Sequence, residues 1–278
     1  MAERGILYMV ATPIGNLSDV SPRVLQTLQS VDLIAAEDTR VTAKLLNHFE
    51  IQKHLVSCQK YNERERTRQL LDQLAQGKSI AFCSDAGTPV ISDPGGYLVD
   101  QAMEEGFRVV PICGPSAVVT ALSVCGQHCE RFCFEGFLPT PKGGRKQRLE
   151  ELQTEKRTMV FYEAPHKLQR TLEDFCQVFG ERTLTICREM TKLHEEIWRT
   201  TTMQAAAHYR ENTPKGEFVL VLQGAQEAPQ EEWTLQEACA AVRKEMEQGT
   251  SLSEACKRVA KNTPFSKSEL YKQMLEEG

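Results

Sequence analysis

The chain has 278 residues, of which 41% are hydrophobic and 26% are charged, and it carries a formal net charge of −5. This length suggests two domains, and the composition is ordinary for a globular protein with buried apolar cores. No apolar run approaches the roughly 18 residues that a membrane-spanning helix requires, and the first residues lack the basic and apolar segments of a signal peptide. We therefore expect a cytoplasmic protein that does not enter a membrane.

Buried strands and amphipathic helices alternate along the first half of the chain. Short apolar runs predict strands at 6–11, 31–38, 54–59, 79–85 and 108–114. The segments between them have the spacing of amphipathic helices, and Ser21 followed by Pro22 is typical of a helix N-terminus. Because this alternation favours a doubly wound, mostly parallel sheet, we expect an α/β domain over residues 1–123.

The second half of the chain predicts another α/β unit followed by a helical tail. Strand-like runs occur at 131–137, 157–165, 183–190 and 216–224. They leave more room for antiparallel pairing than the runs of the first half. Residues 139–148, PTPKGGRKQR, predict a polar, basic loop. We expect this second domain to span 124–226 and a linker with a helical tail to span 227–278, where Ser266 and Glu269 fit a capping box.

Three loops that follow predicted strands have the composition of a ligand site. They are TPIGNL at 12–17, SDAGTPVISDPGG at 84–96 and CGPSA at 113–117. In a parallel sheet the carboxyl ends of the strands lie along one edge, so these loops can share a ligand. Long loops rich in glycine and proline are usually functional, although a simple turn is the alternative for each.

Particular groups in these loops suit a zwitterionic small molecule. Asp85 could accept hydrogen bonds from an amine or a ribose, and Thr88 could bind a carboxylate. The third loop opens a helix, whose unpaired backbone amides favour an anion beside the Ser116 hydroxyl. The residues alone therefore predict an α/β protein that holds a small zwitterion with backbone and hydroxyl groups.

Several common cofactor and metal motifs are absent from the sequence. It has no G-x-x-x-x-G-K-[ST] phosphate loop, no G-x-G-x-x-G after the first strand and no HExxH. Cys125, Cys129 and Cys133 lie beside His128, but their spacing does not match that of zinc ligands. These observations argue against a nucleoside triphosphatase and a nicotinamide enzyme, and we expect no metal site.

Five strings in the chain, taken in order, are similar to one group of enzymes. They are ATPIGNLSD, LIAAEDTR, SDAGTPVISDPG, FEGFLPTPKGGR and FYEAPHKL. The three loops resemble those of the tetrapyrrole methylase superfamily, whose members bind S-adenosylmethionine in a cleft between two α/β domains. Within it, the combination resembles the ribosomal RNA (cytidine-2′-O)-methyltransferase family. The resemblance implies an α/β fold of two such domains with the cofactor cleft between them, plus a small helical C-terminal tail.

The resemblance also implies an activity and partners. It implies S-adenosylmethionine-dependent methylation of a cytidine 2′-hydroxyl in 16S ribosomal RNA, at the decoding centre of the small ribosomal subunit, by a homodimer. One alternative is a methyltransferase that acts on a tetrapyrrole or another small molecule, and a second is a non-catalytic RNA-binding protein. The basic segment and the tail count against the first alternative, and the intact loops count against the second.

From this resemblance we expect particular residues at the cofactor and at the reacting hydroxyl. The expected cofactor contacts are Pro13, Ile14, Gly15, Asp85, Gly87, Thr88, Val90, Ser116, Ala117, Tyr162 and Glu217. Because a ribose hydroxyl is a weak acid, a carboxylate or a histidine would assist its reaction. The catalytic candidates are Glu163, His166 and Asp38. Asp38 could instead pair with Arg40 to fix a turn, and His166 could be a surface residue at a helix start.

Local basic patches must supply any RNA contact, because the chain as a whole is acidic. The expected contacts are Lys142, Arg145, Lys146 and Arg148 in the basic segment, and Arg64 on a predicted helix. Four basic side chains with two glycines suit a mobile clamp on phosphates. The alternative is a solvated loop with no partner.

Overall fold

The computed structural model describes residues 4–226 and 233–276, without the side chain of Lys142. The chain divides into two compact units, and the boundary between them lies between Ala225 and Gln226. Residues 227–232, the start of the predicted linker, lie outside the described residues. In the part of the chain that is described, no helix has the length and apolar character needed to cross a bilayer.

The N-terminal sheet has five parallel strands in the order β3-β2-β4-β1-β5. Its strands are β1 (Ile6–Val10), β2 (Leu33–Ala36), β3 (Leu55–Ser57), β4 (Ile80–Cys83) and β5 (Arg108–Ile112). Its helices are α1 (Pro22–Ser30), α2 (Thr39–His48), α3 (Glu63–Ala75), α4 (Gly96–Glu104) and α5 (Ala117–Val124). The predicted doubly wound parallel sheet is thereby confirmed.

Burial on both faces explains why the strands of this sheet are continuous apolar runs. Alternate residues of one strand point to opposite faces, so Ile80 and Phe82 join one apolar cluster and Ala81 and Cys83 join another. The chain leaves β1 toward β2 and leaves β4 toward β5, although β1 and β4 are neighbours. The loops after β1 and β4 therefore diverge from a switch point, where open α/β sheets bind their ligands.

The second sheet is mixed, with the order β6-β7-β10-β8-β9. Its strands are β6 (Phe132–Phe137), β7 (Thr158–Glu163), β8 (Thr183–Arg188), β9 (Glu196–Thr201) and β10 (Phe218–Leu222). β6 and β7 are parallel, and the other neighbours are antiparallel. Its helices are α6 (Lys142–Glu151), α7 (Pro165–Phe179) and α8 (Thr202–Glu211).

Helix α5 joins the two sheets into one unit. Its residues Val118, Ala121 and Leu122 pack in one apolar cluster with Val160 of β7 and Val221 of β10. The opposite face of the second sheet packs on α7 through a cluster that contains Phe161, Phe175 and Leu220. Because α5 also follows the last strand of the N-terminal sheet, this contact holds the loop before α5 against the second sheet.

The predicted helical tail is confirmed, and it has its own apolar core. It consists of α9 (Leu235–Glu247), α10 (Leu252–Ala260) and α11 (Lys267–Glu276). Its core includes Val242, Cys256 and Leu270. The predicted capping box is present, because the Ser266 amide donates to Glu269 at 2.8 Å and the Glu269 amide donates to the Ser266 hydroxyl at 3.2 Å.

The predicted basic loop at 139–148 is wrong for most of its length, because α6 begins at Lys142. Leu149 and Leu152 anchor the helix in the core beside α7. Two glycines at the start of a helix lower its intrinsic propensity, but packing of an apolar face supplies most helix stability in proteins. Most of the basic segment is therefore the start of a packed helix and not a loop.

Candidate active site

A cavity of about 390 Å³ lies at the carboxyl edge of the N-terminal sheet, and we call it the cleft. Its volume falls within the range of about 300–1,000 Å³ that small-molecule sites usually have. One wall comes from the loops after β1, β4 and β5, and the other comes from β7, the loop after β8, and β10. All of these segments belong to the unit that ends at Ala225.

The three predicted ligand loops form one continuous surface. The Thr12 amide donates to the Gly87 carbonyl oxygen at 2.9 Å, and the Gly87 amide donates to the Thr12 carbonyl oxygen at 3.0 Å. The Thr88 hydroxyl in turn donates to the Pro115 carbonyl oxygen at 3.0 Å. Gly87 has a φ of 75°, in the left-handed region that favours glycine. The loops are therefore joined by hydrogen bonds, as a common ligand surface requires.

The loop after β4 contains two strained residues. Val90 and Ser92 have φ values of 76° and 70°, which side chains other than glycine seldom adopt. Glu63 at the start of α3 accepts hydrogen bonds from the Gly95 amide at 2.9 Å and the Tyr97 amide at 3.1 Å. Such strain persists only where surrounding contacts hold it, and it is concentrated at functional sites.

The cleft offers a few polar groups on an apolar background. Ser116 occupies the N-cap position of α5, but its hydroxyl makes no hydrogen bond to the helix. The hydroxyl is therefore available to a ligand in the cleft. The first amides of α5 favour an anion at the same place. Tyr162, Met190 and Val219 supply an apolar wall from the second sheet. This set of groups fits a molecule that carries both a carboxylate and a flat apolar ring.

The predicted cofactor contacts are distributed over two neighbouring cavities. Seven of them line the cleft: Ile14, Gly87, Thr88, Ser116, Ala117, Tyr162 and Glu217. Three others, Pro13, Gly15 and Asp85, line a smaller cavity of about 270 Å³ between the loop after β1 and α2. Val90 lines neither of these two cavities.

Of the predicted catalytic residues, Glu163 alone lines the cleft, and its carboxylate is already engaged. The side chain is only 5% exposed. One oxygen accepts from the Ala164 amide at 2.9 Å, and the other accepts from the Thr171 hydroxyl at 2.5 Å. These bonds fasten the end of β7 to α7, so the carboxylate acts in the local structure.

Asp38 and His166 lie outside the cleft. Asp38 caps α2 and forms an ion pair with Arg40, whose guanidinium holds the pKa of Asp38 at about 2. The pairing of Asp38 with Arg40, given above as an alternative, is therefore present. His166 is exposed on the first turn of α7.

Asp93 is a cleft residue that the sequence reasoning passed over. Among the described residues, its carboxylate has neither a hydrogen-bond donor nor a cationic partner. Burial, followed by the nearby charges of Glu37 and Asp85, raises the pKa of Asp93 to about 6. The signal was present, because the loop 84–96 contains two aspartates and only the first was singled out.

Residues 6–206 match the sequence profile of the Tetrapyrrole (Corrin/Porphyrin) Methylases. A protein from Synechocystis is 48% identical over 98% of both chains. One from Halalkalibacterium halodurans is 50% identical over 83% of this chain and 81% of that one, and one from Escherichia coli O157:H7 is 48% identical over 80% and 78%. All three are named Ribosomal RNA small subunit methyltransferase I.

The chain belongs to the tetrapyrrole methylase family, in its ribosomal RNA small subunit methyltransferase I branch. Two solved structures share the methylase fold. The methyltransferase CobJ covers 81% of this chain and 97% of its own, with a TM-score of 0.61 and 18% identity. Uroporphyrin-III C-methyltransferase from Thermus thermophilus, complexed with S-adenyl homocysteine, covers 78% and 96%, with a TM-score of 0.56 and 16% identity. The fold predicted from the motifs is thus confirmed.

The two arginines of the basic segment in this methylase are engaged in ion pairs. Arg145 is only 4% exposed, and its guanidinium binds Asp174 of α7, with Nε at 2.6 Å from Oδ2. The prediction that Arg145 contacts RNA is therefore wrong, because the side chain holds α6 against α7. Arg148 pairs with Glu135 and Glu151 but remains partly exposed.

Two other predicted RNA contacts are accessible in the methylase. Lys146 is exposed and lies 3.6 Å from Glu150, which is a weak surface pair. Arg64 is exposed on α3, where its guanidinium lies over the Tyr97 ring at 5.6 Å. These two cations lie on different helices, α6 and α3, and both are exposed to solvent.

The cysteine cluster in the methylase does not converge on one point. The Cys125 and Cys129 sulfur atoms are 3.3 Å apart, whereas the Cys133 sulfur contacts the Thr158 carbonyl oxygen at 3.8 Å. Within residues 4–226 and 233–276, no three histidine, cysteine, aspartate or glutamate side chains are grouped so that a metal ion could bind.

Proposed function

We propose that this protein is an S-adenosylmethionine-dependent methyltransferase of small-subunit ribosomal RNA that modifies the 2′-hydroxyl of a cytidine ribose. The observation that carries the proposal is the cleft, in which the three motif loops of the family meet a wall from the second sheet. Relatives with the corresponding name extend over as much as 98% of the chain. The choice of a cytidine ribose follows the motif resemblance.

The groups of the cleft fit S-adenosylmethionine, which supplies an electrophilic methyl group on a positively charged sulfur. The Ser116 hydroxyl and the first amides of α5 would hold its carboxylate. Tyr162, Met190 and Val219 would cover its adenine ring. The two sheets that contribute these groups support a division into α/β domains at 1–123 and 124–226.

The chain's own contribution to catalysis is mainly orientation. The bonds from Thr12 to Gly87 and from Thr88 to Pro115 fix the loops before the ligand arrives. Correct placement of two reactants contributes up to about 7–11 kcal/mol in favourable intramolecular cases. Once substrates fill the cleft, its apolar wall would help to displace water, which would otherwise compete with the ribose hydroxyl.

The RNA contact rests on a few cations of an acidic protein. Lys146, Arg148 and Arg64 are the described residues that we assign to phosphates, and Lys142 is proposed from the sequence alone. So small a number of cations favours a folded ribonucleoprotein as substrate over free RNA, because few phosphates are neutralised. A homodimer that works in the cytoplasm on the small ribosomal subunit completes the proposal.

The proposal is tested with purified protein, methyl-labelled S-adenosylmethionine and three substrates. The substrates are small subunits reconstituted with transcribed 16S RNA, the same RNA without proteins, and uroporphyrinogen III. A 2′-O-methyl group blocks alkaline cleavage of the adjoining phosphodiester, so labelled ribose methylation survives hydrolysis as a dinucleotide. We expect label in such a dinucleotide that contains cytidine, and faster labelling of subunits than of free RNA.

Other outcomes would contradict specific parts of the proposal. Label in uroporphyrinogen III and none in RNA would favour the tetrapyrrole alternative. Label in mononucleotides after complete hydrolysis would place the methyl group on a base and not on the ribose. If calorimetry detected no binding of S-adenosylmethionine, the assignment of the cleft as the cofactor site would be wrong.

A further inference from the structure

Asp93 stands out among the acidic residues around the cleft, because nothing in the described chain occupies its carboxylate. Glu163 accepts from Ala164 and Thr171, as described above. Glu217 binds the Lys192 ammonium at 2.9 Å. Asp93 lines the same cleft and has no hydrogen bond or ion pair with any described residue. Its carboxylate is therefore available to a ligand.

The backbone on both sides of Asp93 is held in place. Ser92 before it has a φ of 70°, and Pro94 after it is buried. Two residues further on, the Gly95 amide donates to Glu63. These contacts fix the point of the backbone from which the Asp93 side chain enters the cleft, which a reacting group requires.

The titratable neighbours of Asp93 come from its own loop and from two other segments. Glu37 follows β2, Asp85 follows β4, and Tyr162 lies on β7. Glu37 accepts from the Asp85 amide at 3.2 Å, and Asp85 accepts from the Asp38 amide at 2.9 Å. These two carboxylates are thus fixed by the backbone. Burial and the like charges of Glu37 and Asp85 raise the pKa of Asp93. No cation of the described chain pairs with Asp93 to lower that pKa again.

We propose that Asp93 is the catalytic residue that accepts the proton of the target ribose hydroxyl, an inference that rests on the function proposed above. The hydroxyl oxygen forms a bond to the methyl carbon as the methyl–sulfur bond breaks. The electron pair of that bond stays on the sulfur, which becomes a neutral thioether. The hydroxyl proton passes to Asp93 and then to solvent, so charge and atoms balance.

The raised pKa of Asp93 makes its carboxylate a better proton acceptor than a strongly acidic carboxylate would be. With a pKa of about 6, Asp93 is ionised at neutral pH and is more basic than an ordinary aspartate. A general base works best when its pKa lies near the working pH. Asp38, with a pKa of about 2, is a much weaker base and is paired with Arg40.

The test compares Asp93→Asn with Asp100→Asn in the full-length protein. Asp100 is exposed on α4, so the same chemical change is made outside the cleft. In single-turnover methylation of reconstituted small subunits, we expect Asp93→Asn to lower the rate about 10²–10⁴-fold. The affinity for S-adenosylmethionine, measured by calorimetry, should change less than threefold. The wild-type rate should rise with pH through about 6, and this rise should be lost in the variant.

Further readouts separate a catalytic role from a structural one. Asp93→Glu restores a carboxylate, so we expect at least a tenfold recovery over the Asn variant. A rate within threefold of wild type in Asp93→Asn would overturn the inference. So would a loss of cofactor affinity that matches the loss of rate, because Asp93 would then hold the cofactor. An inactive wild-type protein would instead overturn the proposed function, and this inference with it.

Discussion

Thr12 and Gly87 exchange two backbone hydrogen bonds, at 2.9 and 3.0 Å, and so join the loop after β1 to the loop after β4. The two residues are 75 positions apart in the chain (87 minus 12). The switch point between β1 and β4 brings them together, because the chain leaves these neighbouring strands in opposite directions. The cleft is built on this junction.

Gly87→Ala is expected to weaken both the fold and the cofactor site. At a φ of 75°, a Cβ costs about 1–2 kcal/mol, and it would meet the Ile14 Cγ2 atom at 3.3 Å. Because Ile14 lines the cleft, we expect cofactor affinity to fall about tenfold by calorimetry. Gly143→Ala is the matched control, since a Cβ there meets nothing within 4 Å and alanine favours a helix. Unchanged affinity in Gly87→Ala would contradict the role of the junction.

Ser116→Ala and Ser21→Ala are expected to have opposite effects. Ser116 makes no capping bond, so its loss should leave the melting temperature unchanged while cofactor affinity falls about threefold to tenfold. The Ser21 hydroxyl accepts from the Val24 amide at 3.2 Å, so its loss should cost about 1 kcal/mol of stability and spare cofactor affinity. Calorimetric titration and thermal unfolding of both variants check the pair. Equal affinities would remove Ser116 from the cofactor site.

Two neighbouring cations of α6 are expected to separate folding from RNA binding. Arg145→Ala leaves the Asp174 carboxylate without its buried partner and should destabilise the protein by about 3 kcal/mol. Lys146→Ala should leave stability within about 0.5 kcal/mol, while the dependence of RNA affinity on salt becomes shallower by about one unit of slope. Denaturant unfolding and binding at several salt concentrations measure both. An unchanged slope in Lys146→Ala would show that this lysine does not contact phosphate.

The strands of the sheets and the shared position of the three ligand loops could be predicted from the sequence, for physical reasons. Apolar runs such as 79–85 predict buried parallel strands, and parallel strands place their following loops at one edge. The start of α6 was missed because Gly143 and Gly144 favour a loop locally, whereas the packing of Leu149 is a tertiary effect.

The catalytic candidates were harder to predict, because a carboxylate's role depends on what already binds it. Asp85 and Asp93 occupy one loop and look alike in the sequence. In the fold, Asp85 accepts from the Asp38 amide, whereas Asp93 has no partner among the described residues. No local pattern records that difference, since the partners come from distant strands.

Asp93→Asn is expected to stabilise the protein above pH 6 and to have no effect near pH 4. The pKa of Asp93 is raised from the ordinary 3.8 to about 6, so folding favours the protonated acid. That stability is fully present below pH 3.8 and is lost as the pH rises through about 6. At about 1.4 kcal/mol per pKa unit the shift corresponds to nearly 3 kcal/mol, and solvent in the open cleft reduces this to about 1–2 kcal/mol.

The melting temperature of the Asp93→Asn variant should therefore exceed that of wild type by about 2–6 °C at pH 8. Asp100→Asn, on the exposed face of α4, should show no such difference at either pH. A variant that melts at the wild-type temperature at pH 8 would mean that the ionised Asp93 is not disfavoured in the folded protein.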